Sequence, residues 1–303
     1  MKKFFYTMVA GVSMTLAACS TQPQATEMVT PKKDIGLQLY SIRQLIGSNE
    51  NFAANQEKVL ADLAAMGYTT VEAANYGNGK IYGLAPEDFK ACVEKAGLKA
   101  LSTHASRSLS AEELKAGAAN EETMKWWDEC IAAHKAAGVE YIVNPWQNVP
   151  ETLKDLKVWC DYHNAVGKKC AEAGLKFGYH NHSHEFINFG GKTIMDLLVE
   201  KLDPTCTSFV LDTYWVQHGG GDVRYWIEKL AGRIDILHLK EMGRNNNGPF
   251  ITEVGNGNIW WEGVLETAEK AGVKHYVVEQ DSWPGDPFDS IAQSAAYLKK
   301  FVK

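Results

Sequence analysis

A single (β/α)8 TIM barrel, following an N-terminal lipoprotein signal peptide, is the fold this sequence predicts. Three observations carry it. A helix-like segment ends in glycine six times, at Met66-Gly67, Ala96-Gly97, Ala137-Gly138, Ala173-Gly174, Ala231-Gly232 and Ala271-Gly272. Glycine just past a helix end takes the left-handed cap conformation at little cost. A β-rich run follows each cap at once, which marks helix-then-strand units and a parallel sheet. Several runs, such as Tyr141-Ile142-Val143 and Phe209-Val210-Leu211, are apolar without alternation. Strands covered on both faces read that way.

Taken in order, the strands are expected at 35–40, 68–73, 98–103, 139–144, 175–182, 207–212, 234–240 and 274–280. Amphipathic helices are clearest over 121–137 and 152–173, and Asn120 is placed to cap the first of these. Eight βα units over about 270 residues fit a barrel. A doubly wound open sheet is the alternative, but no GxGxxG follows the first strand.

Lys2 and Lys3, an apolar stretch from Phe4 to Ala18, and then Cys19 read as a signal peptide over 1–18. Leu16-Ala17-Ala18-Cys19 resembles a bacterial lipobox, so Cys19 is the expected lipidation site and the membrane is met through that lipid alone. Residues 19–33 read as a polar tether and 34–303 as the barrel, on the exported side of a bacterial membrane. Five further cysteines, scattered and without CxxC, make no disulfide framework. The net charge of −6 argues against nucleic acid as a partner. The sequence leaves a homo-oligomer open.

The chemistry is densest at FGYHNHSHEF, where His180, His182, His184 and Glu185 fall within six positions. Alternate strand residues share a face, which pairs His180 with His182. Imidazole with carboxylate suits a divalent metal. Barrel chemistry sits at the C-terminal strand ends. Those ends hold Gln38 and Tyr40, Glu72, His104, Asn144 and Trp146, the histidine cluster, Asp212 with Trp215, His238 with Lys240, and Glu279 with Trp283.

IGLQLYSIR, YHNHSHEF, VLDTYW, ILHLKEM, VGNGNIWW and VVEQD resemble the xylose-isomerase-like TIM-barrel superfamily of sugar isomerases and epimerases over nearly all of 34–303. The resemblance implies one divalent ion (Mn, Co, Zn, Mg or Fe) held by Asp212, His238 and Glu279, with Glu185 favoured as the fourth ligand. This chain has His180 where the simplest family form has that glutamate, so His180 or His182 remains an alternative ligand. The resemblance further implies Glu185 and Glu279 as the proton-transferring pair, with His104 or His182 able to serve instead. It makes Lys240 a contact to substrate oxygens. Tyr40, His180, His182, Trp215 and Trp283 are the expected sugar-binding residues. The activity implied is proton abstraction beside a carbonyl. Export favours a non-phosphorylated sugar as the small-molecule partner. A lyase or hydrolase of keto-sugar glycosides and a non-catalytic sugar-binding lipoprotein are the alternatives. The 243–248 stretch is read as a loop able to donate to an anion.

Overall fold

The computed structural model describes Met1 and residues 33–46 and 49–301. The expected signal peptide, Cys19 and all of the tether but Lys33 lie outside the described residues. Among the described residues no helix is long and apolar enough to cross a membrane.

Eight parallel strands close a barrel: β1 Ile35–Gln38, β2 Thr70–Ala73, β3 Lys99–His104, β4 Tyr141–Asn144, β5 Lys176–His180, β6 Thr207–Asp212, β7 Ile234–Leu239 and β8 His275–Val278. Each pairs with its neighbour in sequence, and β8 returns to β1 through Ile35↔Tyr276 and Gly36↔Val277. Closure rules out the open sheet. All six expected cap glycines have φ between +71° and +99°. The helices Glu121–Ala136 and Leu153–Glu172 stand where amphipathicity put them, and the Asn120 side chain accepts the Thr123 N–H.

Leu101, Tyr141, Val143, Val210, Ile236 and Val277 fill the barrel interior. A larger apolar layer lies between strands and helices. With both faces of the strands buried, polar side chains collect at the barrel ends, where the chain turns.

Several stretches differ from expectation, and β1 and β8 end two residues short, at Gln38 and Val278. β5 stops at His180, because Asn181 and Glu185 spend their side chains on backbone groups. Asn181 Oδ1 accepts the Asp212 N–H at 2.9 Å, and Glu185 Oε2 accepts the His182 N–H at 2.8 Å. The chain therefore turns off the sheet two residues early. The 243–248 stretch belongs to a β-hairpin, Glu241–Asn245 with Gly248–Thr252, and not to an anion-binding loop. Ladder pairing occupies backbone groups that such a loop would offer.

Candidate metal and substrate site

Four neighbouring strands each bring one ligand-type side chain to the C-terminal end of the barrel. These are His180 from β5, Asp212 from β6, His238 from β7, and Glu279 just past β8. One potential ligand atom of each lies within 4.8 Å of the others, and all four residues are buried. His238 Nδ1 is 2.7 Å from Glu279 Oε2, and His180 Nε2 is 3.8 Å from Asp212 Oδ2. Asp212 Oδ2 and His180 Nδ1 have no hydrogen-bond partner. Buried polar atoms left unsatisfied are costly. Two imidazoles, two carboxylates and orphaned lone pairs fit a divalent cation.

The four groups sit in different electrostatic states. Burial pushes the Asp212 carboxyl up to about 7, against the pull of Lys240. Burial opposes charge on Glu279 too, but Lys240 and His238 outweigh it and hold its carboxyl well below the usual range. Burial also opposes charge on His238, yet Glu72 and Glu279 push it up to about 10. Burial keeps His180 well below the ordinary histidine value. A neutral imidazole is the form that binds a metal.

Glu185, expected as the fourth ligand, lies outside this group, which includes His180 instead. The Glu185 carboxylate is buried and committed elsewhere: Oε1 accepts the Tyr179 hydroxyl at 2.8 Å, and Oε2 accepts the His182 N–H. His184 Nε2 lies 3.2 Å from Oε1. Glu185 shapes the turn after β5, and a carboxylate so engaged is not free to pair with Glu279 in proton transfer.

A cleft of about 530 Å³ opens over this group and is lined by two of the four, His180 and Glu279. Its lining includes Tyr40, His104, Trp146, His180, His182, Lys240, Glu279 and Asp281. Tyr40 is 42% and Trp146 48% exposed, so two aromatic faces stand at the rim. His182 is held near its neutral form by burial, at about 4, and its Nδ1 lacks a partner.

Lys240 is buried, 2.5 Å from Asp281, 3.6 Å from Asp212 and 3.7 Å from Glu279. Burial works against its charge, but these carboxylates raise it above the ordinary lysine value. Glu241, next in the chain, accepts the N–H groups of Met242, Gly255 and Ile259 and the Trp261 indole N–H. Trp215 and Trp283, expected as sugar-stacking walls, are absent from the cleft lining. Trp215 packs under His182 and Lys240, and Trp283 stacks on Arg43.

Asp281 is a site residue the strand-end reading did not name, and Glu72 is one it named without a role. Asp281 lies two positions past Glu279, and nothing but that spacing signals it. Glu72 stood among the strand-end groups. Its Oε1 lies 2.8 Å from His104 Nε2 and 2.9 Å from His238 Nε2, off the line of either N–H. Burial would raise Glu72, but the two histidines outweigh it and hold it well below the carboxylate range.

Residues 60–301 match the family model described as Xylose isomerase-like TIM barrel. The chain belongs to that family. A sugar phosphate isomerase/epimerase from Parabacteroides distasonis is similar in structure, with TM-score 0.76 and 27% identity over 93% of this chain and 99% of that one. The inosose dehydratase of Geobacillus kaustophilus is 24% identical over 82% of this chain and 87% of its own. The chain spans about half the length of other inosose dehydratases it matches. A structure of the IolI protein with a bound zinc atom shares the xylose isomerase-like fold at TM-score 0.64 and 16% identity, covering 88% of this chain and 95% of that one.

Proposed function

We propose that this chain is a divalent-metal enzyme that removes the hydrogen beside the carbonyl of a non-phosphorylated keto-sugar, with isomerisation or epimerisation as the outcome. The observation that carries this is the buried group His180, Asp212, His238 and Glu279 at the floor of an open cleft. A divalent ion held there would supply Lewis acidity to the sugar's carbonyl and an adjacent hydroxyl. The zinc atom bound in the IolI structure supports such an ion.

The chain's own residues supply the rest. Glu279 lines the cleft as a carboxylate kept ionised by Lys240 and His238, the form a general base needs. The Lys240 ammonium donates toward substrate oxygens where negative charge grows. His182 offers an unpartnered ring nitrogen to a hydroxyl. Tyr40 and Trp146 offer aromatic faces to the apolar side of a pyranose. Lys240 is the only lysine or arginine in the lining and is already paired with Asp281, which leaves a phosphate group without a cation of its own.

With Glu185 turned away, Glu279 is the one glutamate among the described residues of the lining, beside His182 and an Asp281 that is paired with Lys240. Inverting a carbon uses acid–base groups on both faces of the sugar. A single base suits return of the proton to the neighbouring carbon, or loss of the group on the β-carbon. The second reading is therefore a lyase, which the dehydratase relatives also support.

Turnover in heavy water on a panel of ketoses and keto-glycosides, with metal content measured on the same sample, tests the proposal. Bound metal and deuterium at the carbon beside the carbonyl are expected. Turnover without any exchange would sink it in favour of hydride shift or hydrolysis. Sugar binding without metal or turnover would make the chain a binding protein.

A further inference from the structure

We propose that Glu72 is a positioning residue for the metal ligand His238, and that His104 acts on the site through Glu72 and not on substrate. The inference rests on the metal reading above.

The protons along this chain of groups follow from its heavy atoms. Gln38 Oε1 accepts the backbone N–H of Tyr40, so its Nε2 is the atom 3.1 Å from His104 Nδ1. An amide nitrogen only donates. His104 Nδ1 must therefore accept, and the His104 proton sits on Nε2, facing Glu72 Oε1. The same oxygen faces Nε2 of His238. Ser102 Oγ–H donates to the other oxygen, Oε2, at 2.6 Å. Glu72 is fully buried, and an ionised carboxylate only accepts. His238 faces a carboxylate with each nitrogen, Glu72 with Nε2 and Glu279 with Nδ1. An ion held beside Glu279 would take the Nδ1 lone pair and leave the ring proton on Nε2, against Glu72.

Two consequences follow. His104 Nδ1 is held by Gln38 and its Nε2 is buried against Glu72, so neither nitrogen is open to a sugar hydroxyl or a carbon-bound proton. His104, His180 and His238 form a second, overlapping group of ligand-type atoms. That group would need a His104 nitrogen, and Nδ1 is held by Gln38 while Nε2 lies 2.8 Å from Glu72 Oε1. Glu72 therefore confines the ion to the side of Asp212 and Glu279. Groups behind a metal-binding histidine fix its tautomer and orientation, and losing them costs about 10–100-fold in affinity.

The test uses zinc-loaded full-length protein labelled with 15N-histidine. Two-bond 1H–15N correlations report each ring's tautomer, and His104→Gln assigns one set. His238 and His104 are both expected as Nε2–H. Glu72→Gln should weaken zinc binding, measured by chelator competition, about 10–100-fold, with the circular dichroism of the folded protein kept. His104→Gln should bind zinc a few-fold more weakly yet still exchange deuterium into substrate. A His238 proton on Nδ1, wild-type zinc affinity in Glu72→Gln, or loss of exchange in His104→Gln at unchanged affinity would each overturn the inference. If Glu72→Gln does not fold, the wild-type tautomers decide. A wild-type protein that binds no divalent metal would overturn the proposed function itself, and this inference with it.

Discussion

The two ends of the barrel are both ringed with charge, and they treat it differently. At the N-terminal end, Lys33 pairs with Glu269, Lys99 with Glu140, and Lys176 and Lys274 with Asp235. Most of these side chains are partly exposed. At the C-terminal end, His180, Asp212, His238, Lys240 and Glu279 are buried, and Asp212 Oδ2, His180 Nδ1 and His182 Nδ1 are left unpartnered. A ring of satisfied, solvated pairs closes a barrel. A buried ring with orphaned acceptors is poised to take a ligand. The same fold separates stability from chemistry by which end is dry and unsatisfied.

The largest expected effect tests which residues make the dry end incomplete without an ion. Alanine at His180, Asp212, His238 or Glu279 should each lower divalent-metal affinity by at least about 100-fold, whereas Glu185→Gln should change it only a few-fold. Metal should also raise the melting temperature of wild type, by about 2.7 kcal/mol of stability at a hundredfold excess over Kd. Calorimetric titration checks both. Tight binding by His180→Ala with loss in Glu185→Gln would restore Glu185 as the ligand.

A smaller effect lies between the two ends, in histidines buried among helices. Burial pushes His163 down to about 3 and His134 down to about 4. Both are neutral in the folded chain but take up a proton on unfolding below about 6.5. The unfolded state then binds more protons, so stability is full above about 6.5 and is lost as pH falls toward those folded values. The slope is up to about 1.4 kcal/mol per pH unit for each histidine. Urea midpoints between pH 7 and 5 should fall, and His163→Gln should flatten the trend. Equal slopes in variant and wild type would refute this.

The smallest effect belongs to the paired end. Lys274→Ala should cost about 0–1 kcal/mol, less in high salt, and leave metal affinity unchanged. A drop in metal affinity would show that the two ends are coupled, and the contrast between them would fail.

The local sequence determined the barrel and most of its timing. Glycine caps, apolar runs and amphipathic spacing are short-range signals, and each acts within a few residues of where it is read. They placed Asp212, His238 and Glu279 at strand ends, and the structure brings those three together. Only the tertiary structure decided the rest. Nothing in YHNHSHEF shows that the Tyr179 hydroxyl and the His182 N–H take the Glu185 carboxylate and leave the site to His180. Gln38, Glu72, His104 and His238 lie on four different strands, and their close contacts exist only once the barrel closes. Trp215 and Trp283 read as a sugar wall because aromatic residues at strand ends fit one, but packing turned them against Lys240 and Arg43. A residue's face follows from its place in the strand. Its partner is set by side chains tens to hundreds of positions away, which local pattern does not encode.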